Sequence, residues 1–362
     1  MDHPALRPHF FDHTMFGFLQ RATVGTFARM GRGRLSAKRA ARNFLTALSL
    51  PLVYLRILPD FWRRFDRFLD IERGKGATYF FIPRRGYAGR RREGIAPATR
   101  AAGYELAPLA EQIGTIASQG NEIAVHGLDA WLDESDGRSE KAILTRETGR
   151  EPTGIRMHWL YFDAASPQAL DAAGFSYDST VGYNGTVGFR AGSTQAYRPP
   201  GTARLLELPL HAMDTALFYP GNLNLSDAGA VATVGRLADQ FGQFGGALTI
   251  NWHDRSIAPE RLWDESYEGI LRLLENRRTS FPTCGQAVAW FQARRAARFE
   301  CSSEANRRLV RVRLDKPKHA SNLRLRVYLP DPSSPDLPLA ERTDPAFEDH
   351  TVSDHYEVTL PS

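Results

Sequence analysis

Short apolar runs alternate with helical patterns along the middle of this chain, and that alternation sets the first expectation of its fold. Ala77–Ile82 (ATYFFI) is rich in aromatic residues, stops at Pro83 and predicts a buried strand. Glu105–Gln119 carries apolar residues at helical spacing and ends at Gly120. Asn121–His126 (NEIAVH) predicts the next strand. Ser139–Thr148 predicts a helix ending at Gly149, and Ser166–Ala173 one ending at Gly174, ahead of a short strand at Phe175–Ser179. Asp227–Phe241, Leu262–Asn276 and Cys284–Arg298 predict further helices, and Ala247–His253 (ALTINWH) a strand. Strands alternating with helices of this length imply βα units and parallel pairing.

The two ends of the chain read differently. Met1–Asp60 predicts basic helices, with Ser36 as the N-cap of one that runs through Leu48. Phe44–Pro59 (FLTALSLPLVYLRILP) is apolar but short, and Pro51 and Arg56 interrupt it. It is too short to span a bilayer reliably, so it reads as a buried or interfacial helix–turn element. From Phe299 onward the period changes to two. Leu309–Leu314 (LVRVRL) and Leu323–Leu329 (LRLRVYL) predict half-buried antiparallel strands, with a last one near Tyr356–Leu360. The expected organisation is therefore a helical basic segment at 1–60, an alternating domain at 61–298 and a small β appendage at 299–362.

Histidines stand where strands are expected to end: His126, His158 after Ile155–Met157, His211 after Leu205–Leu210, and His253. In a barrel of parallel strands the strand C-termini share one face, and active sites are built there. Four imidazoles on one face suggest metal or acid–base chemistry. Each could equally cap its own strand.

Composition narrows the function classes. The chain has 362 residues, 42% hydrophobic and 24% charged, which is ordinary for a globular protein. Two cysteines, Cys284 and Cys301, make neither a disulfide scaffold nor a cysteine zinc site. The formal charge is +5 and the pI about 9.3, with basic clusters at Arg29–Arg42 and Arg84–Arg92. Such clusters favour polyanions, anionic membranes or acidic glycans, or form solvated faces. The start, Met1–Thr14, is polar and carries three histidines, so no secretory signal is expected; the expected location is cytoplasmic or peripheral to a membrane. Neither Gly31-Arg32-Gly33 nor Gly245-Gly246 is followed by the lysine–serine ending of a phosphate loop, so nucleotide hydrolysis is not expected. No nucleic-acid partner is expected. His9 and His13 have the helical spacing of a metal pair, with Asp12 between them, a pattern common by chance.

Taken in order, ATYFFIP, GNEIAVHG, GIRMHWLYFD, AGFSYDST, GFRAGS, LELPLHAMD and LTINWH resemble the polysaccharide deacetylases with the NodB homology fold, the fourth carbohydrate esterase family. Within it they are most similar to a branch linked to bacterial surface or exopolysaccharide loci. The resemblance covers roughly residues 1–298. It implies an α/β fold, a distorted (β/α) barrel, and a divalent metal, zinc being the first expectation. It also implies hydrolysis of an acetamide on an amino-sugar glycan.

The resemblance also implies residue roles. The family's first motif ends a strand with a general base and a metal-binding acid. Met1-Asp2-His3 matches only its end, which makes Asp2 the metal-binding acid and puts the base and the first strand upstream of Met1. The second motif is a histidine pair at i, i+4; His126 supplies one member, but position 130 is Ala130. Asp129 or His158 would then complete the metal set, and His158 is the expected ligand. Arg156 matches the arginine that orients the base, and His253 the histidine that protonates the leaving amine. Asp254 would orient an imidazole or cap the next turn. Trp159, Tyr161 and Trp252 would stack on a sugar ring or belong to the core. Arg190 would reach a substrate anion or carbonyl, or form a loop salt bridge.

Amide hydrolysis needs such parts. The carbonyl is a poor electrophile, and a metal polarises it while lowering the pKa of bound water. A carboxylate takes the water proton, and an acid must protonate the departing nitrogen. The leading expectation is therefore a metal-dependent deacetylase. Its rivals are a barrel that binds glycan without turnover and a polyanion-binding protein whose affinity falls steeply with salt.

Overall fold

The computed structural model describes residues 13–31, 33, 35–55, 57–58, 64–258, 261, 263–277, 279–304, 307–314, 324–328, 347–351 and 355–360. The chain divides into two compact units, Met1–Gly285 and Gln286–Ser362.

The first unit begins with three helices, α1 (His13–Ala22), α2 (Val24–Gly31) and α3 (Ala37–Tyr54). Ser36 caps α3 as expected, its hydroxyl accepting from the Arg39 N–H at 3.4 Å. The helix runs past Leu48 and through Pro51, so the apolar stretch is mostly helix rather than turn. Phe18, Ala22, Leu50 and Val53 pack together with Ala258, and the buried Asn43 amide donates to Thr26 Oγ1 at 2.8 Å.

After α4 (Phe65–Ile71) the strands follow: β1 (Thr78–Phe81), β2 (Glu122–Gly127), β3 (Gly154–Met157), β4 (Tyr177–Asp178) and β5 (Leu206–Glu207). They form one parallel five-stranded sheet in sequence order, with Val125 opposite Ile155 and Asp178 opposite Glu207. Helices α5 (Ala110–Ser118), α6 (Glu134–Thr148) and α7 (Ser166–Ala172) occupy the crossovers. Ile113, Ile116, Leu144 and Leu170 from these helices pack with Phe81, Val125 and Ile155 in one core. The parallel α/β architecture expected from the alternation is what the chain adopts.

The strand run does not stop at β5. Leu208 N–H bonds to the Asp178 carbonyl at 2.8 Å and Leu210 N–H to Val181 at 2.9 Å. One residue later His211 N–H bonds to the Thr249 carbonyl at 3.0 Å. The chain thus leaves β4 and joins the next parallel pair, β6 (Ala212–Met213) with β7 (Ile250–Asn251). Helices α8 (Asp214–Phe218), α9 (Asp227–Phe244) and α10 (Asp264–Asn276) pack there through Leu217, Val234, Ile270 and Leu274. The strands therefore describe an arc. Among the described residues no backbone hydrogen bond joins β7 to β1. A cavity of about 60 Å³ has Thr78–Phe80 on one wall and Asn251–His253 on another.

Helix α11 (Cys284–Ala296) leads into the second unit. There β8 (Ala297–Glu304) and β9 (Arg307–Leu314) pair antiparallel, β10 (Arg324–Tyr328) pairs with β11 (Phe347–Thr351), and β12 (His355–Leu360) pairs with β9. The helix ends two residues short of Arg298 because β8 pairs residue for residue with β9 from Ala297 onward.

Candidate active site

His126 lies near the end of β2 and His158 just past β3, so neighbouring parallel strands deliver them to adjacent points. His158 Nδ1 lies 3.1 Å from His126 Nε2, with the rings edge to face. His126 Nδ1 is 2.8 Å from the Arg156 carbonyl, and His158 Nε2 is 3.1 Å from the Arg100 carbonyl. A carbonyl only accepts, so each outer contact needs a proton on the ring. The three contacts together take three protons, one more than two neutral imidazoles carry. The turn after His126 is held by Glu140 on α6, whose carboxylate accepts from the Leu128 and Asp129 N–H groups. Burial pushes this carboxyl up to about 7 against the pull of those two bonds.

Arg156 on β3 is buried. Its Nε donates to the Ser179 carbonyl, one terminal nitrogen to Ser179 Oγ and the other to Asn251 Oδ1, all at 2.9 Å. The guanidinium also stacks on Phe80, 4.5 Å from the ring centre. Asp178 and Glu207 are buried nearby and share a hydrogen bond. Burial pushes Asp178 up to about 6 and, with the neighbouring Asp178 charge, raises Glu207 well above the usual range.

His253 has a different partner from the one expected. Its Nδ1 is 2.6 Å from Asp214 Oδ1, and its backbone N–H donates to Asp214 Oδ2 at 2.7 Å. Asp214 opens α8 and is completely buried. Burial raises its carboxyl, but the charge and hydrogen bonds of His253, helped by Ser256, leave it below the ordinary value. Asp254, expected to orient an imidazole or cap the next turn, accepts from the Arg255 N–H at 2.8 Å at the start of a 3-10 turn. The imidazole is therefore oriented by Asp214, which sequence reasoning missed. The signal was present in LPLHAMD, but β6 and β7 had to pair before Asp214 could meet His253.

The small cavity gathers His126, Arg156, Asn251, Trp252 and His253, and Glu72 and Tyr79 line it too. Glu72 is buried, and its two oxygens accept from the Tyr79 and Tyr267 hydroxyls at 2.6 and 2.7 Å. Burial raises Glu72, and those hydroxyls oppose the shift. Trp252 stacks on Tyr267 at 4.8 Å and packs with the apolar core, so one of its faces is taken. Trp159 is 39% exposed, and Trp159 and Leu160 both have positive φ, 60° and 54°. Tyr161 lies under Arg100, its ring centre 4.4 Å from the guanidinium, and its hydroxyl accepts from Arg91 at 3.3 Å. Arg190 donates to the Gly182 carbonyl at 2.7 Å and covers Phe162, and among the described residues it makes no salt bridge.

One expectation is corrected. His211 does not join the other histidines. It is buried between Phe189 and Phe241, with Nδ1 accepting from the Thr249 N–H, and burial lowers it to about 4. The expected metal set of Asp2, His126 and His158 is not completed by the described residues. Among them no His, Cys, Asp or Glu makes a group of three, whereas catalytic zinc sites use three protein ligands and structural sites four. His126 and His158 face each other, and Asp129 is engaged by Tyr87 and Arg90. Asp2 lies outside the described residues, as do His9, Asp12 and the side chain of His13.

No protein-family profile matches the sequence, and no curated protein matches it. Solved structures do overlap it. A structure described as a polysaccharide deacetylase from Mycobacterium smegmatis is 20% identical, with a TM-score of 0.46, covering 80% of this chain and 92% of that one. A family 4 carbohydrate esterase from Streptomyces lividans is 13% identical, with a TM-score of 0.35, covering 59% and 82%. The Xyl-CE4 domain of a xylanase from the hindgut metagenome of Trinervitermes trinervoides is 12% identical, with a TM-score of 0.36, covering 62% and 82%.

Proposed function

We propose that this chain hydrolyses the N-acetyl groups of an amino-sugar polysaccharide. One observation carries the reading: His253, hydrogen-bonded to the buried Asp214, lines the same cavity as His126 and Arg156. A hydrogen-bonded carboxylate–imidazole pair is suited to moving a proton. With Asp214 holding Nδ1–H, Nε2 is the nitrogen that delivers a proton to the departing amine, and Asp214 stabilises the imidazolium. Arg156 adds a fixed positive charge at the same wall. Water adds to the acyl carbon and gives a proton to His253 Nε2, which passes it to the departing nitrogen; the C–N bond breaks, and acetate and a free amino sugar leave. Trp159 and Tyr161, around the same β3 end, offer aromatic surface for a sugar ring. The ordered sequence segments support the same reading. The described residues do not complete the divalent-ion site that the resemblance implies, and every step assigned here uses the chain's own side chains.

The test is acetate release from N-acetylated amino-sugar oligomers, with and without a chelator. We expect release by the native chain, and a fall of about two to four powers of ten in folded His253→Ala. Equal release by that variant would remove His253 from the chemistry. Inhibition by the chelator, reversed by zinc, would show that an ion takes part.

A second reading, glycan binding without turnover, rests on Ala130 standing where a second histidine would be and on Glu72 already carrying two tyrosine hydroxyls. Calorimetric binding of acetylated oligomers with no acetate formed would favour it.

A further inference from the structure

The helical segment ahead of the sheet carries two apolar stripes where a packed helix needs one. On α3 the inner stripe includes Asn43, Leu50 and Val53, all buried. Leu45, Leu48, Leu52 and Leu55 follow at intervals of three or four along the opposite side, which places them on one line. They are 66%, 75%, 41% and 68% exposed. On α2, Val24 and Phe27 are exposed too, and the Phe27 ring meets Phe44 at 4.8 Å, so the two helices share one apolar surface. Exposed apolar surface of this extent marks an interaction site.

The charge around it is of one sign. Between Asp12 and Asp60 the sequence holds no aspartate or glutamate and eight arginines and lysines. Arg39 is engaged by Asp227 and Glu265, and Arg42 stands 3.9 Å from Asp264, but Lys38 is exposed and Arg42 half exposed near the start of the outer stripe. The same helices wall a cavity of about 640 Å³ lined by Arg21, Arg29, Arg39 and Arg261 against one carboxylate, Asp227. Val24 belongs both to that cavity and to the exposed surface.

We propose that α2 and α3 dock this protein on an anionic lipid surface, with the outer leucine stripe in the headgroup boundary and the basic residues against lipid phosphates. Lipid satisfies both features at once, because an interfacial helix needs an apolar face and cationic flanks. A second copy of the chain fits less well. A two-fold interface brings a patch against itself, and Lys38 and Arg42 would meet their own copies with no acid in the segment to separate them. The helix lies on the surface rather than crossing it: no helix among the described residues is long and apolar enough to span a membrane.

The experiment is co-sedimentation of the full chain with vesicles of phosphatidylcholine alone or with about one third phosphatidylglycerol. We expect binding to the anionic vesicles at least about tenfold above the neutral ones, weakening with salt. The exposed double substitution Leu48→Ser/Leu52→Ser should keep the native melting temperature and reduce binding by about tenfold or more. Lys38→Glu should weaken binding to the anionic vesicles only. Equal binding to both vesicles would overturn the proposal, as would binding that survives the serine substitutions. So would a salt-resistant dimer that those substitutions disperse while vesicles are left unbound.

Discussion

Asp214 binds one residue twice, through the His253 ring and the His253 backbone. Replacing it by asparagine keeps the shape but removes the charge and permits the wrong ring tautomer. We expect Asp214→Asn to lower the turnover number for acetate release by about two to four powers of ten with a smaller change in KM. Stability follows the same carboxylate. Its folded pKa lies below its unfolded value, so the native state holds fewer protons through the acid range. The stabilisation is present above pH 4 or so and is lost as pH falls through the folded pKa. Denaturant titration should show this acid loss in the native chain and a shallower one in Asp214→Asn. At this scale His126 and His253 were legible because they end strand-like runs, and Arg156 through the resemblance of its segment. Asp214 was not, because its partner lies 39 positions away. His211 misled for a related reason: strand-end position says nothing about which way a ring turns.

Among the elements, the turn after β3 is the most constrained. Two consecutive residues without glycine's freedom, Trp159 and Leu160, sit in the left-handed region, where each costs about 1–2 kcal/mol. The Trp159 carbonyl accepts from Asn184 at 3.3 Å, and the ring stays at the surface. Trp159→Gly should therefore relieve strain and raise the melting temperature, while weakening the affinity for acetylated oligomers in calorimetry. Unchanged affinity would show that this ring does not touch sugar. Strand β1 was readable from its apolar run, since burial on both faces leaves such a run unbroken. The bounds of β7 were not: ALTINWH suggests a full strand, but only Ile250 and Asn251 pair in parallel with β6. Helix α6 starts earlier than its apolar pattern, because Asp133 accepts from the Asp136 N–H and caps it.

Across the molecule, one buried residue ties the strand ends together. Arg100 is 1% exposed and donates to the carbonyls of Ala88, Leu128 and His158. Arg100→Ala leaves two buried carbonyls and a half-buried one without this donor, and should lower unfolding free energy by about 3 kcal/mol in urea titration. The second arginine cluster is similarly internal in its bonding: Arg85 pairs with Glu105, Arg90 with Asp129 and Asp136, and Arg92 with Asp163. A charge map drawn from sequence alone therefore overstates the free positive field here.

The order of apolar runs determined the parallel α/β plan, since burying unbroken runs between helices leaves little other choice. The same local pattern determined the capped helix α3 and the β-rich end of the chain. Tertiary structure alone decided that Asp214 serves His253, that His211 is packing, and that α3 leaves a leucine face uncovered. Each of those depends on which distant segment comes to lie beside a residue, and local periodicity carries no record of distance across the fold.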